Sequence, residues 1–151
     1  MLEQKLRVER KVIGNTRTIE MSGQPLGENQ FRLRVGRFAV TANNIVCAVF
    51  GDFLSYWNCP VELPFGQVPA MGWAEVVESN NPDIAMGGRY CGWFPTVSTA
   101  VFTAKALSDG FRDDGSHRQE HASVYRSYVE TKRGVRRRQP CLAVDRPPLQ
   151  P

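Results

Sequence analysis

Two histidines and four cysteines are the whole supply of imidazole and thiol ligands in 151 residues, and no two cysteines form a CxxC pair. Cys47, Cys59, Cys91 and Cys141 stand 12, 32 and 50 residues apart. That spacing suits neither a zinc knuckle nor a dense disulfide scaffold, so buried free thiols in a reducing compartment are expected. No apolar run approaches the ~18 residues of a membrane helix, which removes the membrane as a partner. The opening MLEQKLRVERK has neither the apolar stretch nor the small-residue cleavage site of a secretory signal, and a cytoplasmic protein is expected. No GxGxxG follows a strand pattern and strands do not alternate with helices, so no dinucleotide cofactor is expected to bind this chain by itself. Internal repeats are absent as well.

What is present is enough for one ordinary domain with a single main core. The net charge of +4 is unevenly placed. Of the 19 Lys and Arg, six fall within residues 132–151, and of the 15 acids only Asp145 does, so residues 1–131 carry 13 basic and 14 acidic groups. A near-neutral body with a basic tail makes nucleic acid an unfavoured partner, because only the tail offers phosphates a charge.

Residues 6–13 (LRVERKVI), 16–21 (TRTIEM) and 30–41 (QFRLRVGRFAVT) alternate polar and apolar side chains, the period of half-buried strands. SGQPLGEN, residues 22–29, has the composition of a turn. ANNIVCAVFGD, residues 42–52, breaks the alternation and predicts a short helix capped by Asn43 or Asn44. Residues 53–69, aromatic and proline-rich, read as a long functional loop. Strand patterns return over 71–79 and 89–94, joined by the turn-forming NNPD, and again over 97–107. SHRQEHASVYRSYV, residues 116–129, predicts a helix that starts at Ser116 and sets Val124 and Tyr128 on one face. Many short strands with one or two short helices imply a mainly β barrel or sandwich.

FAVTANNIVCAVFGD, residues 38–52, followed by VPAMGWAEVVESNNPDIAMGGRYCGWFP, residues 68–95, resembles the N-terminal GroES-like domain of the medium-chain dehydrogenase/reductase superfamily. The same segments resemble, more closely still, an uncharacterised family known only as a domain of unknown function. The resemblance implies a GroES-like, partly open β-barrel over residues 1–131. In full-length relatives it implies a following nucleotide-binding domain that takes NADPH. Zinc-dependent members carry an imidazole ligand where this chain has Trp73, and an indole offers a metal no lone pair. The resemblance therefore points to the zinc-independent quinone- and enoyl-reductase branch, with the β domain as one wall of a substrate cleft.

Asn43 and Asn44 are the leading pocket candidates, since the matching Asn of that branch sits near nicotinamide and substrate. Helix capping or an Asx-turn is the other use of such residues. Phe53, Tyr56 and Trp57 either line an apolar cleft or plug the barrel end, and Tyr56 alone among them could protonate a carbonyl. Glu75, between apolar neighbours, is expected to be paired if buried. His117-Arg-Gln-Glu120-His121 matches the HxxEH of inverted zinc proteases, but it fixes only three positions, and a surface helix with solvated histidines is the expected outcome.

Residues 132–151, KRGVRRRQPCLAVDRPPLQP, change composition abruptly. Codons can be chosen for this stretch that, shifted by one base, encode a segment similar to the family's continuation. The tail is therefore expected to be out of frame; a disordered segment or a basic arm are the alternatives. The function expected is that of an isolated substrate-side domain, not catalytic alone, whose partner is a nucleotide-binding domain. The alternative is a stand-alone binding module that homodimerises.

Overall fold

The computed structural model describes residues 2–53, 57, 62–119 and 121–131. Its frame is set by small side chains on one strand. In β5 (Pro69–Ser79), Ala70, Gly72, Ala74 and Val76 turn inward while Met71, Trp73 and Glu75 turn outward, the alternation that a half-buried strand dictates. Those small inward residues leave the interior to rings brought by other strands. Phe31 enters from β3 (Gln30–Ala39), Tyr90 and Phe94 from β6 (Arg89–Pro95) and Phe102 from β7 (Thr99–Leu107). Phe111 comes from β8 (Gly110–Asp113) and Tyr128 from β9 (Ser127–Glu130). Phe111 and Tyr128 stack at 4.6 Å, and Phe31 meets Phe111 edge-on at 5.0 Å.

The six strands close a barrel in the order β3-β5-β6-β9-β8-β7. The mainly β architecture with one α-helix agrees with the sequence reading, except that the barrel is closed where a partly open one was expected. Closure depends on β9, which pairs with both β6 and β8. All but the last residue of this segment lies within the stretch predicted as a helix. The structure has instead two short 3-10 turns, Ser116–Arg118 and Ser123–Tyr125, and then the strand. Tyr128 decides the matter: its ring is needed in the aromatic core at 1% exposure, and its hydroxyl donates to Trp93 O at 2.7 Å.

Gly72 and Gly92 face each other across β5 and β6. A Cβ at Gly92 would lie 2.4 Å from the Tyr128 ring, and one at Gly72 would lie 2.7 Å from Arg37 O. These glycines admit the aromatic packing that closes the barrel.

A second layer, the three-stranded antiparallel sheet β2-β1-β4, lies against the barrel, with β1 at Leu2–Glu9, β2 at Thr16–Ser22 and β4 at Phe65–Gly66. β1 begins and ends earlier than its sequence pattern implied, because residues 9–15 form a turn in which Glu9 N–H donates to Asn15 O and Asn15 N–H to Val12 O. β4 likewise corrects the reading of 53–69 as wholly loop. The sheet meets the barrel where Leu6 N–H donates to Thr96 O and Ser98 N–H to Gln4 O. Val8, Cys47, Ala48, Trp57 and Val68 form a separate small core. No helix among the described residues is long and apolar enough to cross a membrane. The tail, residues 132–151, lies outside the described residues, and with it every expectation about its frame or order.

Candidate functional site

The helix α1 (Ala42–Val49) begins within the predicted 42–52 span and ends three residues short of it, with Thr41 as its N-cap, two or three residues ahead of the predicted Asn43 or Asn44. Asn44 is its third residue and is held at both ends of its amide. Thr41 N–H donates to Asn44 Oδ1 at 2.7 Å, while Asn44 Nδ2 donates to Pro69 O at 2.9 Å. The amide thus fastens the helix start to β5, a structural use that corrects the N-cap assignment. Asn43 is exposed on the first turn.

The two described loop aromatics, Phe53 and Trp57, have unlike surroundings. Phe53 is 85% exposed, Tyr56 lies outside the described residues, and Trp57 is 6% exposed in the small core. The indole of Trp57 sits between two glycines, since a Cβ at Gly51 or Gly66 would fall 2.2 or 2.1 Å from it. The Arg10 guanidinium lies 5.5 Å from the Trp57 ring centroid, within cation–π range. Trp57 therefore anchors its loop beneath α1, away from the barrel interior.

A cleft forms on the outer barrel face, about 530 Å³ in volume, lined by Arg34, Arg37, Trp73, Glu75 and Arg89 among others. Its existence follows from one irregularity. Val35 is opposite Ala74 and Arg37 opposite Trp73, so Gly36 has no partner and forms a β-bulge. Residues three apart on a regular strand point to opposite faces. The extra residue puts Arg34 and Arg37 on the same outer face as Trp73 and Glu75. Glu75 is only partly buried and is paired as expected, but sideways: both Nε and Nη2 of Arg89 lie 3.2 Å from its Oε2. Sequence reading missed this cleft. The available signal was the lone glycine inside RLRVGRF, where an isolated Gly in a strand pattern marks a bulge.

The histidine motif separates into turns. His117 lies in the first 3-10 turn and His121 beyond it, so they do not share a helix face, and Glu120 is outside the described residues. Arg118, between them, is the organising group. It is 4% exposed, with Nε 3.4 Å from Asp113 Oδ2 and Nη2 within hydrogen-bond distance of Tyr125 O, Tyr128 Oη and Trp93 O. Burial pushes the Asp113 carboxyl above the usual range, opposed by the Gly115 N–H, Arg118 and His117, with Asp114 adding to the rise. His117 is exposed as a residue, yet desolvation of its ring lowers the imidazole below its ordinary value; Asp113 opposes this, whereas Arg118 and His121 reinforce it. A depressed folded value means the stabilising contribution is complete above about pH 6.5 and is lost as pH falls through the folded value. Denaturant melts should accordingly show stability declining below that pH, and His117→Gln should flatten this part of the profile. An identical slope in the variant would assign the decline to other groups.

Cys47 is a free thiol whose pKa burial raises. Cys91, by contrast, is disulfide-bonded, which corrects the expectation of free thiols at that position. Cys59 and Cys141 lie outside the described residues.

A family model described as "Protein of unknown function (DUF2855)" matches residues 38–146. No curated protein matches the chain.

Proposed function

The chain belongs to this family of proteins of unknown function, and from the resemblance of residues 38–95 we propose that residues 1–131 act as a GroES-like, substrate-side domain of a zinc-independent, NAD(P)H-dependent reductase-like protein, not catalytic alone. The observation that carries the reading is α1. One face buries Cys47 and Ala48, yet the opposite face exposes Ile45, Val46 and Val49, with Phe50 and Phe53 following. A surface helix ordinarily gives solvent a polar face, and contiguous apolar exposure marks a contact surface. The resemblance over residues 38–95 supplies the partner, a nucleotide-binding domain. Trp73, at the position of the imidazole ligand in zinc-dependent members, supports the zinc-independent branch.

The described residues do not fit a dinucleotide. Every strand pairing among them is antiparallel, whereas the pyrophosphate cradle needs a strand, a glycine-rich turn and a helix in a parallel βαβ unit. Hydride donation therefore belongs to the partner in this reading. Calorimetric titration of the purified chain with NADPH should show no saturation; a dissociation constant in the micromolar range would overturn the proposal.

The same helix face favours a second reading, a module that homodimerises. Light scattering separates the two. A monodisperse dimer abolished by Ile45→Lys with Val49→Lys supports the module. Concentration-dependent association without a defined dimer, relieved by the same substitutions, is the outcome expected of a face made for another domain. A cytoplasmic location goes with the leading reading, and the bond at Cys91 is the feature at odds with a reducing compartment.

A further inference from the structure

Three guanidinium groups and one carboxylate line the outer cleft, and the carboxylate is already committed. Glu75 is opposite Arg34 in register, yet its Oε2 pairs with Arg89 on the other neighbouring strand. Arg34 and Arg37 are exposed and make no ion pair among the described residues. Two uncompensated cations facing one cleft repel each other unless an anion joins them. Their convergence also depends on the Gly36 bulge, which adds one residue to β3 and so re-aims Arg37 outward. Beside them Trp73 offers a half-exposed indole face, opposite Arg37 in register.

We propose that this cleft binds a small anion in which a carboxylate or phosphate is attached to a planar ring. The anionic oxygens meet Arg34 and Arg37, whose planar forks suit either group, and the ring lies on Trp73. The volume, about 530 Å³, falls in the range of small-molecule sites rather than that of an extended polyanion track. The inference does not rest on the reductase reading, which concerns α1 and the partner domain.

The test uses the full chain and four probes by calorimetry: naphthoate, naphthyl phosphate, neutral naphthamide and inorganic phosphate. At least one of the two ring-bearing anions should saturate, and the tighter one identifies the acidic group. Naphthamide and inorganic phosphate should each bind at least about tenfold more weakly, because each lacks one half of the recognition. Arg34→Gln with Arg37→Gln should lower affinity for the anions roughly 10- to 100-fold, without changing the melting temperature, since both side chains are exposed. Trp73→Leu should weaken the ring-bearing anions and leave inorganic phosphate unchanged. Undiminished binding in the double arginine variant would assign the anion to the basic tail and overturn the proposal. Equal affinity for naphthamide would do so as well, as would the failure of both ring-bearing anions to bind.

Discussion

Gly110→Ala should prevent the barrel from closing. Gly110 is opposite Val129 where β8 meets β9, and it also ends the β7–β8 hairpin opposite Leu107. A Cβ there would lie 1.9 Å from Tyr128 O, 2.9 Å from Tyr128 C and 3.0 Å from Val129 Cα. All three obstacles are backbone, so no rotamer change relieves them. The strands must separate, and β9, only four residues long, would be drawn from the pairing that links β8 to β6. We expect a loss of about 3 kcal/mol or more, the upper range of overpacking, and a melting temperature lower by roughly 10 °C. Gly14→Ala is the control, because a Cβ at Gly14 meets nothing within 4 Å. Equal stability of the two variants would mean that β9 does not close the barrel as described.

The second large effect is at Arg32. This side chain is on the outer face of β3 but is 3% exposed, because the β2-β1-β4 sheet covers it. Its Nη1 is 2.5 Å from Glu3 Oε1, its Nε 3.1 Å from Glu78 Oε2, and its Nη2 donates to Gln24 O. Glu3 is itself buried, and among the described residues Lys5 at 3.6 Å is its one further cation. Arg32→Met would leave that carboxylate without its main partner, at a cost of about 3–5 kcal/mol. Glu78 is half exposed and would be resolvated, so it contributes little to the loss. Adding Glu3→Leu should recover most of the stability, since an apolar pair of similar volume removes the stranded charge. Hydrogen exchange should then locate the damage in the single variant: amides of β1 and β2 lose protection before those of the barrel. A cost below about 1 kcal/mol for Arg32→Met would show that the ion cluster does not hold the sheet in place.

Reading by period succeeded wherever one face of a strand was buried and nothing interrupted it. β5 is the clearest case: Ala70, Gly72, Ala74 and Val76 alternate with outward residues as the sequence pattern requires. It failed over 116–129, where Val124 and Tyr128 at helical spacing looked like one helix face. An i, i+4 pair is also compatible with a turn followed by a strand, and only the vacancy left by Gly92 shows that the Tyr128 ring belongs inside the barrel. The pocket residues divided in the same way. Asn44 was read as a pocket residue or an N-cap, whereas it is the third helical residue and its amide reaches Pro69 O, 25 residues away. The cleft arginines were passed over because alternation from Arg34 to Arg37 places them on opposite faces. A single unpaired residue, Gly36, reverses that.

The amino-acid sequence by itself determined the mainly β class, the strand pairs around the NNPD turn and the family segment at 38–95. Each is written in local periodicity, or in residue types whose backbone demands do not depend on distant partners. The closed barrel, the disulfide at Cys91, the buried charge of Arg32 and the arginine cleft were decided by tertiary structure alone. Each of these depends on which distant strand becomes a neighbour and in what register. A shift of one residue turns a side chain from core to solvent, and local pattern carries no record of that choice.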